Sequence, residues 1–477
     1  MAMPTARASA DSWLQSLSEY EQLLATKDTH FQEPESQRQR QRGIFLNHGA
    51  FGDPYESTLK LRYYLTRLCY QQPMVYHRDL IPPLVAKSRQ RATDFLRIDD
   101  SSNVDSFSFT NVRSALFAVI QSVQWKKGDV VVTSDVLYHA VNDALAYLQR
   151  KHELEWIIVD TPHGAKSEDI FGQWSNTLVQ HRDKQIRLAI VDHISSKPTI
   201  LFPVEKICRL CQSLSIPILV DGAHVPGSIP SRFVSPMTSY QPTFYTVTFH
   251  KWCNVPRGGA SGGLWVNVSE IERQAYSQFI DISYLVVKGG WAEPKEGESI
   301  YYDGISKPGL FTDGLTQGIY DESTREYENI LVLPHCLDLV IRFEGVFGRH
   351  SRKLREATLS ILPRLWSLDQ DLVEKWLGDT TQEYVLPMLS IPLPTTQLLQ
   401  AVRPREAKVP SMEQAMLLLK KHLAKRLWDN FDIEVPIFCW KNDLLATRIS
   451  FGRHVSITDI ERLGNAVNQI IHEGIEL

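Results

Sequence analysis

"IRLAIVDHISSKPTILFPVEKICRLCQSLSIPILVDGAH" (186–224) contains two short apolar runs, "IRLAIVD" and "IPILVD", each ending in an aspartate. Between them "PVEKICRLCQSL" carries apolar residues at helical spacing. Runs of Ile, Leu and Val without polar alternation belong to strands covered on both faces, and a helix between two such strands makes them parallel. The same rhythm spreads in both directions. Upstream are the helix "SALFAVIQSVQ", the strand "GDVVVTSD", a helix through "AVNDALAYLQR" and the strand "EWIIVDTP". Downstream "TFYTVTF" and "SGGLWVNV" continue the set. The pattern predicts an α/β fold with a mostly parallel sheet.

Outside this region the texture changes. Residues 1–43 are polar and helix-prone and end in the charged "QEPESQRQRQRG", read as an arm with a solvated face. "STLKLRYYLTRLCYQQP" and "LIPPLVAKSRQRATDFLRI" read as helices interrupted near prolines. Beyond "GLFTDGLTQGIYDESTREYEN", the helix "ILVLPHCLDLVIRFEG" opens a second region. It continues with strand-like "YVLPMLSIPL", "IEVPIFCW" and "LLATRISF" and closes on the helix "ITDIERLGNAVNQIIHEGI", a smaller α+β unit.

The chain has 477 residues and a formal charge of −4, with 22% charged residues, so it lacks the basic excess of a nucleic-acid binder. No window reaches the roughly 18 apolar residues of a membrane span, and the N-terminus lacks the apolar core of a signal peptide. Cys208 and Cys211 form a CxxC inside an apolar helix face, without the second pair that a structural zinc site needs. The expectation is a cytoplasmic protein with no metal, no membrane and no nucleic acid.

In a parallel sheet, ligands sit beyond the carboxyl ends of the strands. Asp192 ends "AIVD", Asp221 ends "ILVD" and Lys251 follows "TFYTVTFH", at intervals of 29 and 30 residues. Each interval is close to one strand–helix–strand step, which lets all three groups face one crevice. An amine and a carboxylate beside a phosphate cradle suit pyridoxal phosphate. The cradle has a candidate in "FTNVRSALFAV", with Thr110 or Asn111 near a helix start. Asp221 could equally cap a turn, and Asn111 could be a plain helix cap. "PRGGASGG" lacks the GKS or GKT of a phosphate-binding P-loop and reads as a turn after the lysine.

With these residues in place the chain resembles the fold-type I pyridoxal-phosphate enzymes of the class V aminotransferase family, in their isopenicillin N epimerase-like and C–S lyase-like branch. The matching pieces are "FLNHGAFG" (45–52), "DHISS" (192–196), "VDGAHVPG" (220–227), "FYTVTFHKWCNVPRGGASGGLWV" (244–266), "STREYENILVLP" (323–334) and "RISF" (448–451). The resemblance implies a seven-stranded-type sheet in a large domain over 76–322. It also implies an arm and substrate-side segment over 1–75 and a small C-terminal domain over 323–477. It makes Lys251 the lysine that carries the cofactor, Asp221 the partner of its ring nitrogen and His224 a neighbour. Asn111, Ser114, Thr248 and His250 fall at or near the phosphate, and Thr324 reaches it from the second subunit of a homodimer. Tyr138 or His139 covers the ring. Asn47 and His48 lie on the substrate side, and Arg448 grips the substrate carboxylate. This chain departs from the family at Val112, Arg113, Val247 and Thr248, and in "STRE" and "SFGRHVS".

Such a site acts on a small amino-acid substrate through loss of its Cα proton, with Lys251 as general base if neutral. The leading reading is β-elimination from a cysteine-derived substrate, as in the hercynylcysteine sulfoxide lyase-like members, with Tyr138 protonating the leaving group. Epimerisation of the isopenicillin N type is the alternative, followed by cyclisation in secondary metabolism. Aminotransfer and cysteine desulfuration rank behind these. Cys253, Cys336 and Cys439 are the only cysteines after Lys251, and none reads as part of a mobile loop. A catalytically silent scaffold would keep the fold without the lysine, aspartate and arginine together.

Overall fold

The structure is a computed structural model describing residues 10–25, 43–98, 104–162, 166–234, 241–259, 261–281, 326–377, 384–403, 411–441 and 444–476. Its centre is a seven-stranded sheet of β1 (Val104–Phe109), β2 (Val130–Ser134), β3 (Glu155–Val159), β4 (Ile186–Asp192), β5 (Ile218–Asp221), β6 (Phe244–Thr248) and β7 (Gly262–Asn267). The strand order is β1-β7-β6-β5-β4-β2-β3. All neighbours are parallel except at β7, which runs antiparallel to both β6 and β1. The apolar runs of the sequence are the central parallel strands. β1, in "DSFSF", is an additional antiparallel edge that the reading of that stretch as a lead-in did not anticipate.

Side chains alternate along a strand, so the sheet feeds two cores. Val130, Val132, Ala189, Val191, Ile218, Val220, Tyr245 and Val247 lie on one face, with the helix Val204–Ser213. Val131, Leu188, Ile190, Leu219, Phe244, Leu264 and Val266 lie on the other, with the helix Val112–Ser122. Cys208 and Cys211 are fully buried in the first core, and burial pushes both thiols up. They are packing residues on an apolar helix face.

The arm does more than present a solvated face. Its helix Ala10–Ala25 buries Trp13, Leu17 and Leu24 in the first core, while most of the charged run at 32–43 falls outside the described residues. The helices Glu56–Gln71 and Ile81–Phe95 are joined at Pro73 by a short turn and a π-helical stretch. The helix expected to begin the second region runs on as Leu333–Leu365, because its apolar spacing continues past Gly345 and Gly348 through Leu354, Thr358 and Leu362.

A second, antiparallel sheet contains β8 (Met388–Pro392), β9 (Ile437–Trp440) and β10 (Leu444–Ser450), in the order β9-β10-β8. The helices Met412–Phe431 and Ile457–Glu473 cover it, each opened by a capping box. Ile44–Phe45 pairs in parallel with Ile433–Glu434. The segment that follows therefore leaves from beside this sheet and crosses to the lysine loop.

One close approach fixes the start of β7, where it pairs with the end of β6. A Cβ on Gly262 would meet the Asn111 carbonyl carbon at 2.6 Å, so β7 touches the start of the helix Val112–Ser122 backbone to backbone. Gly262→Ala is expected to lower the denaturant midpoint by an amount worth about 1–3 kcal/mol, the usual penalty of overpacking. An unchanged midpoint would show that this contact yields freely.

Candidate active site

β4, β5 and β6 end side by side. Asp192 and Asp221 are register partners on β4 and β5, and Asp221 also pairs with Thr246 on β6. Both carboxylates are buried, at 4% and 3% exposure. Three residues after β6, Lys251 places its Nζ 3.0 Å from His224 Nε2. The two aspartates and the lysine therefore share one crevice, as the strand spacing required.

Burial sets the protonation of this cluster. It lowers the Lys251 amine to about 8, helped by the charge of Arg448 and opposed by those of Asp221 and Asp192. Burial also raises both aspartates, Asp192 further through the charge of Asp221, while Lys251 pulls each of them down. His224 is held well below its ordinary value by burial and then by Lys251, so it is neutral. An ammonium on Lys251 must donate to Nε2, which puts the imidazole hydrogen on Nδ1. Among the described residues, that Nδ1 and Asp192 Oδ2 are buried with no partner. Asp221 Oδ1 accepts from the Ala223 N–H at 2.8 Å, so the turn-forming role exists alongside any other.

A second group lies at the start of the helix Val112–Ser122. Asn111 is its N-cap, accepting from the Ser114 N–H at 3.1 Å. Ser261 donates from both N and Oγ to the Thr110 carbonyl and lies 3.1 Å from His250 Nδ1. Thr248 Oγ1 is 2.7 Å from the same nitrogen. Thr248, His250, Ser261, Thr110 and Asn111 thus form one polar strip. Burial lowers His250 to about 4, so its ring is neutral.

Across the crevice, Arg448 on β10 is 2% exposed. Its Nη1 donates to Ser196 Oγ at 2.8 Å, and its Nη2 donates to Asn47 Oδ1. Among the described residues its Nε has no partner, and burial lowers its pKa to about 10. Asn47 holds Glu434 at 3.2 Å through its other end. Farther along the same segment the Gly52 N–H donates to the His250 carbonyl at 2.8 Å, tying the arginine side to the lysine loop.

The remaining candidates lie outside this cluster. His48 packs its ring on Gly452, with burial holding it near 4. It borders a cavity of about 230 Å³ with Trp252, Phe343 and Arg349. Tyr138 and His139 are exposed at the start of the helix His139–His152, their rings 4.4 Å apart. Arg113 lies over the Phe117 ring at 5.0 Å. Thr324 lies outside the described residues. Sequence reading missed Ser196 and Ser261 as site residues. Ser196 could have been found four residues past Asp192, at the same strand end, whereas Ser261 was hidden in a glycine-rich turn.

The residues fit pyridoxal phosphate. There is an amine of lowered pKa, a carboxylate beside it, two orphaned buried polar atoms, and a hydroxyl-rich strip at a helix N-terminus.

No protein-family model matches the chain. A probable L-cysteine desulfhydrase, chloroplastic, of Arabidopsis thaliana is 25% identical over 458 residues, 90% of this chain and 83% of that one. Hercynylcysteine sulfoxide lyase of Schizosaccharomyces pombe is 26% identical over 215 residues, 45% of this chain and 52% of the relative. Isopenicillin N epimerase of Streptomyces clavuligerus is 23% identical over 408 residues, 84% and 88% of the two chains. Among solved structures, a cystine C–S lyase in complex with its product cysteine persulfide matches with a TM-score of 0.61 and 16% identity, over 90% of this chain and 97% of that one. The fold is that of the fold-type I pyridoxal-phosphate enzymes, and the class V likeness read from the sequence holds in these relatives.

Acylation of the apoprotein by acetic anhydride, followed at Lys251 by mass spectrometry, should rise with a midpoint near pH 8. A midpoint at the ordinary lysine value would mean that the amine is not desolvated.

Proposed function

We propose that this protein is a pyridoxal-phosphate-dependent C–S lyase that eliminates the β-sulfur of a cysteine-derived amino acid. The observation that carries this reading is the desolvated Lys251 amine, 3.0 Å from His224 beside Asp192 and Asp221, with Arg448 across the crevice. The cofactor, when bound to Lys251, supplies the electron sink that lets a Cα–H bond release its proton. Asp221 would keep a proton on the ring nitrogen. Asn111, Ser114, Thr248 and His250 would hold the phosphate, and Thr324 is proposed to join them from the second subunit. Tyr138 or His139 would cover the ring.

Arg448 binds the substrate carboxylate, with Asn47 on the substrate side. Lys251 is neutral above about pH 8 and takes the Cα proton. Tyr138, at the open start of its helix, returns a proton to the departing sulfur. The net change consumes one water and yields a thiol, pyruvate and ammonium. The desulfhydrase and sulfoxide lyase relatives support elimination, and the epimerase relative keeps reprotonation of Cα as the second reading. Desulfuration needs a reactive thiolate. Burial pushes the Cys253 thiol well up, Cys336 is buried, and the Cys439 thiol is also raised.

The protein is proposed to act as a homodimer, with the arm, large and small domains divided near residues 75 and 322. Leu59, Tyr63, Tyr70 and Met74 form an exposed apolar stripe along the helix Glu56–Gln71 and the turn after it, a surface suited to a second copy. Among the described residues no helix is long and apolar enough to cross a membrane. All six cysteines are unpaired, which supports a reducing, cytoplasmic setting.

Lys251→Ala should lose covalent cofactor, read as the borohydride-trapped mass, and lower pyruvate release by roughly 10³-fold. A trapped cofactor in that variant would overturn the assignment. Arg448→Ala should raise KM by about 10–100-fold, the worth of a charged hydrogen-bonded pair. Exchange of Cα–H into solvent deuterium without pyruvate would favour epimerisation instead. Tyr63→Asp with Tyr70→Asp should shift sedimentation toward the monomer.

A further inference from the structure

The loop after β4 carries a cation that the proposed chemistry does not use. Ser195 Oγ donates to the Pro198 carbonyl at 2.6 Å and accepts from the Ile200 N–H at 3.2 Å, closing the loop on itself. The loop is also fastened to the second sheet at two points. Ser196 Oγ accepts from Arg448, and the Thr199 N–H donates to Ser390 Oγ at 2.8 Å. Arg448 and Ser390 are register partners on β10 and β8, so the two anchors lie one strand spacing apart, ~5 Å.

Lys197 stands between those anchors and reaches solvent. Among the described residues no carboxylate lies within ion-pair distance of it or of Lys420. Desolvation, and then the charges of Arg448 and Lys420, hold its ammonium below the ordinary value. Glu434 accepts from Asn47, which itself accepts from Arg448, so that carboxylate is engaged on the arginine's other side. A rigid loop thus presents an uncompensated cation beside the arginine assigned to the α-carboxylate, where an anion would relieve the repulsion.

We infer that Lys197 is a specificity-determining residue that binds a second, distal anionic group of the substrate. The preferred substrates are therefore cysteine S-conjugates with an acidic S-substituent. This rests on the C–S lyase reading for the reaction and on the loop geometry for the preference.

The test compares two isosteres on the holoenzyme, S-carboxymethyl-L-cysteine and its neutral analogue S-carboxamidomethyl-L-cysteine. Pyruvate release and calorimetric binding are both measured. The wild type should favour the acid by roughly tenfold in kcat/KM and in Kd. Lys197→Met should collapse the ratio to within about twofold, Lys197→Arg should restore it, and Lys197→Glu should reverse it. Equal handling of the two by the wild type, or a ratio that survives Lys197→Met, overturns the inference. If neither compound yields pyruvate yet binding keeps a Lys197-dependent preference, the inference stands and the lyase reading falls.

Discussion

The structure depends on burying an amine beside two carboxylates at the dry edge of a parallel sheet. An isolated buried charge is prohibitively costly; here the amine offsets both carboxylates and they offset it, while the two carboxylates repel each other. Asp192 and Asp221 arrive together because parallel strands in register end together. Lys251 arrives because β6 ends beside Asp221 and the turn after it bends back over the strand ends. The opposing pulls of desolvation and charge leave the amine titrating near pH 8, well below its ordinary value. A lysine poised in this way can bond to a carbonyl carbon and can later accept a proton, roles an exposed lysine performs poorly.

The second dependence is the strap that joins the two sheets. It leaves Ile433–Glu434 in parallel pairing, meets Arg448 through Asn47, receives Ser450 Oγ at the Gly49 N–H, and reaches the His250 carbonyl from Gly52. Gly52 has no room for a side chain, since a Cβ there would run into the Lys251 and His250 carbonyls. Arg448 and the lysine loop are thereby tied together by one short segment bonded at several points. Position errors of an ångström matter greatly in such sites.

The central fold was legible because its strands are buried on both faces and therefore read as unbroken apolar runs. Asp192, Asp221 and Lys251 were legible because each closes such a run. β1 was harder, since "VDSFSF" alternates as an edge strand does and resembles a loop with a few aromatics. Ser261 was hidden because small residues around glycine signal a turn whatever else they bond. His48 reads as a neighbour of Asn47 in sequence, yet the chain turns at Asn47, whose carbonyl accepts from the Ala50 N–H, and the His48 ring packs on Gly452. The resemblance supplied the roles, which periodicity alone leaves open.

Arg448 shows how recognition can be built without leaving an open charge. Before any substrate arrives, one terminal nitrogen donates to Ser196 and the other to Asn47, while among the described residues Nε has no partner. A carboxylate can therefore take Nε together with the second hydrogen of Nη2, or win a hydrogen from one of these neutral oxygens. The exchange favours the carboxylate because a charged acceptor bonds an arginine about twice as strongly as a neutral one. A neutral ligand gains little by the same exchange and leaves a buried guanidinium under-satisfied, which is costly. In the proposed role of Arg448, the serine and the asparagine keep the arginine in place and make the site selective for an anion.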